Sequence, residues 1–459
     1  MTGTHTKLKH LINKHPLLTG SFLLTLAGFI SRLIGFFYRM YLSQLFGEEG
    51  MGIYQLVGPV MALSFSLTAA GFQTSISKFV AEQTGNSTSE RSGLYRPLIL
   101  GLSISLPLSF LLMFFLQGNA LFIATHFLQE PRTAPLLRIL ALSLPLSAAH
   151  ACINGFFYGC KKAAIPAICQ LAEQLFRVLS VYIIATAALL KGRTPTLTIT
   201  CIGILLGEIA ATLLCVLTLL YHSKKPAITI HNIKTITSDI PSDKRFTYGM
   251  LLSMAIPLIA NRLTLNLLQS IETVSLPARL RIYGYDQSTA LSVYGVLTGM
   301  AFPLLFFPNA ITSAFAVLLL PLISERISFG DKAGVRKLTL KTIRYCAILG
   351  FSCMLIFLFL GKQLGILLFH SQLAGIFIQT LSFICPFLYL NNTLSAILQG
   401  MGKVITLFFI NVSALLLRLL FIFTFVPSHG IQGYLWGLLI GQIFQSTAYL
   451  LSINRTQKC

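Results

Sequence analysis

Residues 18–45 read LTGSFLLTLAGFISRLIGFFYRMYLSQL, a run of 28 residues whose only charges are Arg32 and Arg39. An α-helix rises about 1.5 Å per residue, so about 20 such residues cross a hydrocarbon core roughly 30 Å thick. Eleven further apolar runs follow, at 51–77, 96–117, 134–160, 163–190, 195–221, 246–276, 289–323, 340–361, 374–400, 403–426 and 430–452. Lipid offers backbone groups no partners, so each run must close its hydrogen bonds internally, as a helix. The expected fold is therefore all-α and integral to a membrane, with about 12 transmembrane helices. Composition agrees: of 459 residues 55% are hydrophobic and 10% charged, against about 25% charged in soluble domains.

Lys and Arg number 34 against 13 Asp and Glu, a net charge of +21. In a soluble chain that excess would point to nucleic acid. Here most basic residues lie in short loops between the runs, which excludes a nucleic-acid partner and makes the bilayer the surrounding partner. Assigned to alternate loops, 22 fall on one side, among them Lys7, Lys9, Lys14, Lys161, Lys162, Lys224 and Lys403, and 6 on the other: Arg132, Lys191, Arg193, Arg279, Arg281 and Lys362. The positive-inside rule then places both termini in the cytoplasm, in a multi-pass protein of the cytoplasmic (inner) membrane. The lysines before the first run resemble a signal peptide, but Arg32 and Arg39 within it suit an uncleaved span. The nine cysteines show no metal-ligand spacing and form no even framework, so they read as small core residues.

The chain repeats itself. Pro145, Gly159, Lys162 and Arg177 recur as Pro386, Gly400, Lys403 and Arg418, all at an offset of 241. Earlier, Ser31-Arg32-Leu33 matches Asn261-Arg262-Leu263, and Gly52-Ile53-Tyr54 matches Ser292-Val293-Tyr294. Near each end, Gly207-Glu208-Ile209 matches Gly441-Gln442-Ile443. The expected organisation is a six-helix bundle over 1–222, a cytoplasmic linker over 223–245 and a second six-helix bundle over 246–459. Two copies in one orientation are related by an axis along the membrane normal, an architecture of transporters that bind substrate between their halves. Two short apolar pieces, 119–129 and 362–370, are expected to lie at the interface rather than to cross.

Six arginines fall inside the runs: Arg32, Arg39, Arg138, Arg177, Arg262 and Arg418. Each costs about 2.5–3.5 kcal/mol at the bilayer centre, so buried arginines face a bundle interior or a wet cavity. Arg39 and Arg138 lie near the outer surface, within reach of snorkelling. The other four stand 15 to 18 residues beyond the cytoplasmic lysine or arginine that precedes them. They share one depth to within a helical turn and would form a cationic layer if all point inward. Guanidinium forks suit phosphate. The intramembrane acids are fewer, Glu173, Glu208 and Glu272, and serve either charge pairing or ion coupling. Glu173 and Arg177 fit an i,i+4 pair; Arg418 has Ala414 where Arg177 has Glu173. Gly28 and Gly35 share a helix face for close packing. His150 reads as a core histidine with a backbone partner, with a proton relay as the alternative. Pro59, Pro145, Pro257, Pro303, Pro308 and Pro386 read equally as hinges or static kinks. No metal cluster, cofactor site, P-loop or loop able to hold catalytic carboxylates is seen, so the chain is not expected to be an enzyme.

Ser31-Arg32-Leu33-Ile34-Gly35-Phe36-Phe37-Tyr38-Arg39, with Leu45-Phe46-Gly47 and Gly50-Met51-Gly52-Ile53-Tyr54, resembles the opening of the stage V sporulation protein B-like polysaccharide exporters. Glu173-Gln174-Leu175-Phe176-Arg177 after Tyr158-Gly159 is similar to that family's fourth and fifth spans, and Leu297–Glu325 to its eighth. The resemblance implies the multidrug/oligosaccharidyl-lipid/polysaccharide (MOP) superfamily, with two bundles in a V around a central cavity. It implies a flippase for an anionic, undecaprenyl-pyrophosphate-linked saccharide, used in cell-wall, peptidoglycan, polysaccharide or sporulation biosynthesis. In the lipid II flippase branch the arginine of a similar Ser-Arg-x-x-Gly-Phe opening lines the cavity; that role carries to Arg32, whereas Arg39 stands one residue later than that branch's second arginine. Substrate-binding candidates are thus Arg32, Arg39, Arg177, Arg262 and Arg418, with Na+ or H+ as coupling ion. An ion-coupled multidrug cation exporter of the MATE type is the alternative and would need an acidic cavity. A non-transporting membrane partner of a cell-wall complex would tolerate loss of every buried arginine.

Overall fold

The computed structural model describes residues 16–85, 91–224 and 247–458. Lys7, Lys9 and Lys14 lie outside the described residues, as does nearly all of the expected linker. In chain order the α-helices are α1 Pro16–Phe65, α2 Gly71–Gly85, α3 Arg91–Phe122, α4 Ala134–Ala141, α5 Leu144–Gly159, α6 Ala164–Leu190 and α7 Thr198–Lys224. They continue as α8 Tyr248–Tyr283, α9 Gln287–Gly295, α10 Phe302–Phe306, α11 Asn309–Ser328, α12 Lys332–Phe369, α13 Gln372–Leu381 and α14 Cys385–Gly400. The last three are α15 Val404–Thr424, α16 Val426–His429 and α17 Ile431–Lys458. Among the described residues there is no strand.

Ten described helices are long and apolar enough to cross a membrane, or eleven when Pro131–Ala141 and Leu144–Gly159, bent by 47° at their break, count as one span. The twelve runs map onto these with three differences. Leu24–Thr84, counted once among the ten, holds two of the runs. Gly47, at φ 68° and ψ −170°, is non-helical and separates the first two runs; a side chain there would strain the left-handed backbone. The run 289–323 is divided at Phe307–Pro308 into α9–α10 and α11. The run 430–452 forms α17, which is not among the ten because glutamine, serine and threonine interrupt its apolar residues.

The short pieces expected at the interface are corrected: 119–129 largely extends α3 through one π turn, and 362–370 completes α12. Continuing an existing helix satisfies their backbone groups without a new terminus. Most of the prolines prove to be helix starts. Pro145, Pro303 and Pro386 occupy first turns and Pro308 is an N-cap residue, positions where the missing N–H is not needed; Pro59 and Pro257 remain inside helices. Serine and threonine within the spans bond back to their own helix, as Ser64 to the Val60 carbonyl at 2.7 Å and Ser270 to that of Asn266 at 2.6 Å, which satisfies their hydroxyls in an apolar medium. Outward faces carry large apolar side chains, with Leu111 and Phe114 each 66% exposed, as lipid contact requires.

Candidate functional site

Gly28, Arg32, Gly35 and Arg39 stand at i, i+4, i+7 and i+11, one face of α1. That face lines a cavity of about 540 Å³, together with Ser31, Phe36, Tyr38 and Tyr54. Gln170, Gln174 and Arg177 of α6 form a second wall, and Pro303, Phe306, Phe307, Asn309 and Ser313 close the third. No carboxylate is among these lining residues. Glycines and arginines thus share the cavity face, and Gly35 makes room for Gln174, whose Nε2 would lie 3.4 Å from a Cβ there.

The charges are unevenly matched. Among the described residues, neither Arg32 nor Arg39 has an ion-pair or hydrogen-bond partner. Arg177 donates to Glu173 within the same helix. Its Nε, the Ser31 hydroxyl and the Tyr38 hydroxyl are buried without a partner, and Tyr38 is only 6% exposed. Buried polar atoms are nearly always hydrogen-bonded, so this wall holds donors awaiting an acceptor.

Behind Arg177, His150 of α5, Glu173 of α6 and Glu208 of α7 each bring one donor atom to within 4.8 Å of the others. His150 Nδ1 lies 3.5 Å from Glu208 Oε2, so its partner is a carboxylate and not the expected backbone group. On the far side, Arg418 Nη2 is 3.2 Å from Glu272 Oε2, and the Tyr434 hydroxyl donates to Glu272 Oε1 at 2.8 Å. Arg418 borders a separate cavity of about 240 Å³ with Gln269, Asn411, Gln442 and Gln445.

The expected layer of Arg32, Arg177, Arg262 and Arg418 is therefore not assembled. Arg32 and Arg177 meet in one cavity, Arg39 joins them, and Arg418 is neutralised by an acid from α8 that no i,i+4 rule reveals. Arg262 lies outside the cavity lining; one turn on, Asn266 Nδ2 donates to Ser66 Oγ at 2.5 Å and to the Ala62 carbonyl at 3.3 Å, which ties α8 to the end of α1. Arg138 is exposed on α4. Sequence reasoning missed Tyr38, Tyr54, Gln170, Gln174, Asn309 and Ser313. Gln170, Glu173, Gln174 and Arg177 follow the i, i+3, i+4, i+7 pattern of a polar stripe on an apolar helix, a signal that was available.

Where the chain reverses at Gly47, the elements close tightly. A Cβ on Gly52 would lie 2.1 Å from the Leu291 carbonyl oxygen, and one on Gly295 would lie 2.2 Å from that of Glu48. Glu130, 2% exposed, accepts from Arg132 Nε at 2.6 Å and from Gln287 Nε2 at 2.7 Å. Arg132 also reaches Glu49 at 2.7 Å, and Arg281 donates to Gln129. Burial pushes the Glu130 carboxyl up, but its hydrogen bonds from Arg132 and Gln287 outweigh this and hold it below the usual range.

The model of the polysaccharide biosynthesis protein family matches residues 17–326, and that of the MatE family residues 257–424. Stage V sporulation protein B of Bacillus subtilis (strain 168) is 28% identical over 445 residues, covering 96% of this chain and 84% of that protein. Lipid II flippase MurJ of the same organism is 25% identical over 327 residues, 69% of this chain and 59% of that one. Among solved structures, an inward-facing multidrug resistance MATE family transporter of the MOP superfamily superposes with TM-score 0.66 at 15% identity, over 93% of this chain and 96% of the other. A MOP superfamily transporter from Pyrococcus furiosus, described as having a binding pocket of reverse polarity that suggests a different function, gives 0.65 at 14% identity over 97% of each chain. The chain belongs to the polysaccharide biosynthesis protein family, and its fold is the one seen in MATE structures of the MOP superfamily.

Proposed function

We propose that this transporter flips an anionic, undecaprenyl-pyrophosphate-linked saccharide across the cytoplasmic membrane by alternating access between two six-helix bundles, 1–222 and 246–459. The observation that carries this reading is the pair of unmatched guanidiniums, Arg32 and Arg39, beside Arg177 in a cavity with no lining carboxylate. Two unpaired cations, Arg32 and Arg39, beside an Arg177 already held by Glu173, leave a charge that a pyrophosphate can match with charge-assisted, bidentate hydrogen bonds. On the opposite wall Asn309 Oδ1 and Ser313 Oγ accept from Asn392, which leaves the Asn309 amide N–H groups to face sugar hydroxyls, while the lipid tail stays in the bilayer. The names of two relatives, a sporulation protein and a lipid II flippase, fit such a substrate. A cavity that exported drug cations would need an acid facing inward; Glu173 and Glu208 lie behind Arg177, and Glu272 is held by Arg418 and Tyr434.

Backbone contacts close the halves at the Gly47 end, and toward the other end Leu251 and Ala255 of α8 pack with Phe72 and Ile76 of α2. Substrate drives the cycle only if the two facing states bind it with different affinity. The test is reconstitution in liposomes with labelled lipid II and a cationic dye offered separately. Lipid II should move and the dye should not, and Arg32→Ala with Arg39→Ala should abolish movement while the protein stays in the membrane. Dye export with no lipid II movement would defeat the proposal.

A further inference from the structure

The repeat places a charged cluster in one half opposite a neutral one in the other. The offset of 241 carries His150 to Asn391, Glu173 to Ala414 and Arg177 to Arg418, and the later match pairs Glu208 with Gln442. In both halves a glycine packs against the arginine helix, more closely in the first, where the carbonyl at 173 is 2.7 Å from a Cβ on Gly207, than in the second, where that of Ala414 is 3.8 Å from one on Gly441. A Cβ on Gly207 would lie 2.7 Å from the Glu173 carbonyl oxygen and 3.3 Å from Arg177 Cβ; one on Gly441 would lie 3.1 Å from Arg418 Cγ. In the second half, Asn391 Nδ2 donates to Gln442 Oε1 at 2.7 Å, an amide pair complete without any proton exchange. At the corresponding place in the first half, His150 Nδ1 and Glu208 Oε2 stand 3.5 Å apart, and both His150 Nε2 and Glu208 Oε2 are buried without a hydrogen-bond partner.

Charge accounting separates the two further. Arg418 and Glu272 cancel. With His150 neutral, Glu173, Glu208 and Arg177 leave one uncompensated negative charge at 14–23% exposure, a costly condition at this depth. One added proton on the imidazole balances it and sets a cation opposite Glu208 across the 3.5 Å gap.

We propose that the His150–Glu173–Glu208 cluster is a proton-binding site confined to the first half, with the proton carried by His150 facing Glu208. Its surroundings hold few other ionisable groups. On α6 it faces Cys169 and Arg177, on α7 Cys215, whose sulfur lies 3.1 Å from that of Cys169, and on α5 itself Tyr158. From α1, Arg39, Tyr38 and Tyr54 lie beyond Arg177 in the cavity. α2 and α3 meet α5 through apolar residues such as Phe72, Ile76 and Leu98. Because Glu173 is shared with Arg177, the proton also removes net negative charge from behind the cavity wall, so anion binding and proton uptake are linked, and by reciprocity each favours the other. This second consequence rests on the anionic substrate proposed above; the proton site does not.

The test uses the full chain in lipid nanodiscs and borrows the second half's own residues, His150→Asn and Glu208→Gln, which that half packs as an amide pair. Nitrogen-15 histidine NMR without ligand should show one titration between about pH 5 and about pH 9 that vanishes in His150→Asn and moves by about one unit or more in Glu208→Gln. A histidine at 150 that stays neutral throughout, or one indifferent to Glu208→Gln, overturns the proposal. So does stabilisation by Na+ over choline, or by a divalent metal, lost in Glu208→Gln, because the site then binds that ion. In a second arm, affinity for an undecaprenyl-pyrophosphate probe should rise as pH falls, by at most about tenfold per unit for one linked proton, and lose that slope in His150→Asn. Absence of probe binding at every pH counts against the anionic substrate and leaves the NMR titration to decide the proton site.

Discussion

Arg32 and Arg39 differ from Arg418 in what surrounds them and not in what they are. Arg418 has an acid and a phenol within reach, so it acts as a strut. Replacing Glu272 with Ala strands that guanidinium and the Tyr434 hydroxyl, and should lower unfolding stability by about 3–5 kcal/mol, read as a fall in Tm at unchanged expression. Arg32 and Arg39 have only the cavity before them. Losing a charge-assisted pair of hydrogen bonds costs about 1.5–3 kcal/mol, so each single Ala variant should weaken lipid II binding about ten- to a hundredfold. Thermal stability should hold, since no partner is left unpaired. Arg262→Ala, outside the cavity lining, should leave binding within about threefold; a loss as large as that of Arg32→Ala would place α8 in the binding wall after all. The face of Arg177 was legible in the polar stripe of α6. That Glu272 would be brought to Arg418 was not, because no spacing within one helix shows which acid a neighbouring helix supplies.

At the scale of the elements, closure at the Gly47 end depends on two glycines and one carboxylate. Gly52 and Gly295 let α1 and α9 meet backbone to backbone, a contact that a Cβ 2.1 Å from a carbonyl oxygen forbids. Gly52→Ala should therefore shift the molecule toward a state open at this end, seen as faster labelling of a cysteine introduced at Gln55 by a membrane-impermeant maleimide. Glu130 latches the same end to Gln287. Its carboxyl titrates below the usual range, so its contribution is complete above that range and is lost as pH falls through the lowered value. Opening, read as the distance between spin labels placed on α1 and α9, should be pH-independent between about pH 6 and about pH 8 and increase toward about pH 3; Glu130→Gln should increase it at neutral pH. The matching motifs Gly52-Ile53-Tyr54 and Ser292-Val293-Tyr294 were readable as a repeat, but that they lie beside one another was not, since 240 residues separate them.

For the molecule as a whole, likeness to both inward- and outward-facing MATE structures at TM-score 0.66 leaves the facing state to the contacts themselves. The all-helical fold, the membrane and the repeat were determined by the sequence alone. Long apolar runs have one way to satisfy their backbones in lipid, and a duplicated order of prolines, glycines and basic residues survives in the linear chain. Division of the arginines into a strut, an exposed residue and a cavity wall was decided only by tertiary structure. Whether a buried charge is spent or available depends on which acid another helix brings within about 4 Å, and that distance is written in the packing of helices, not in their order.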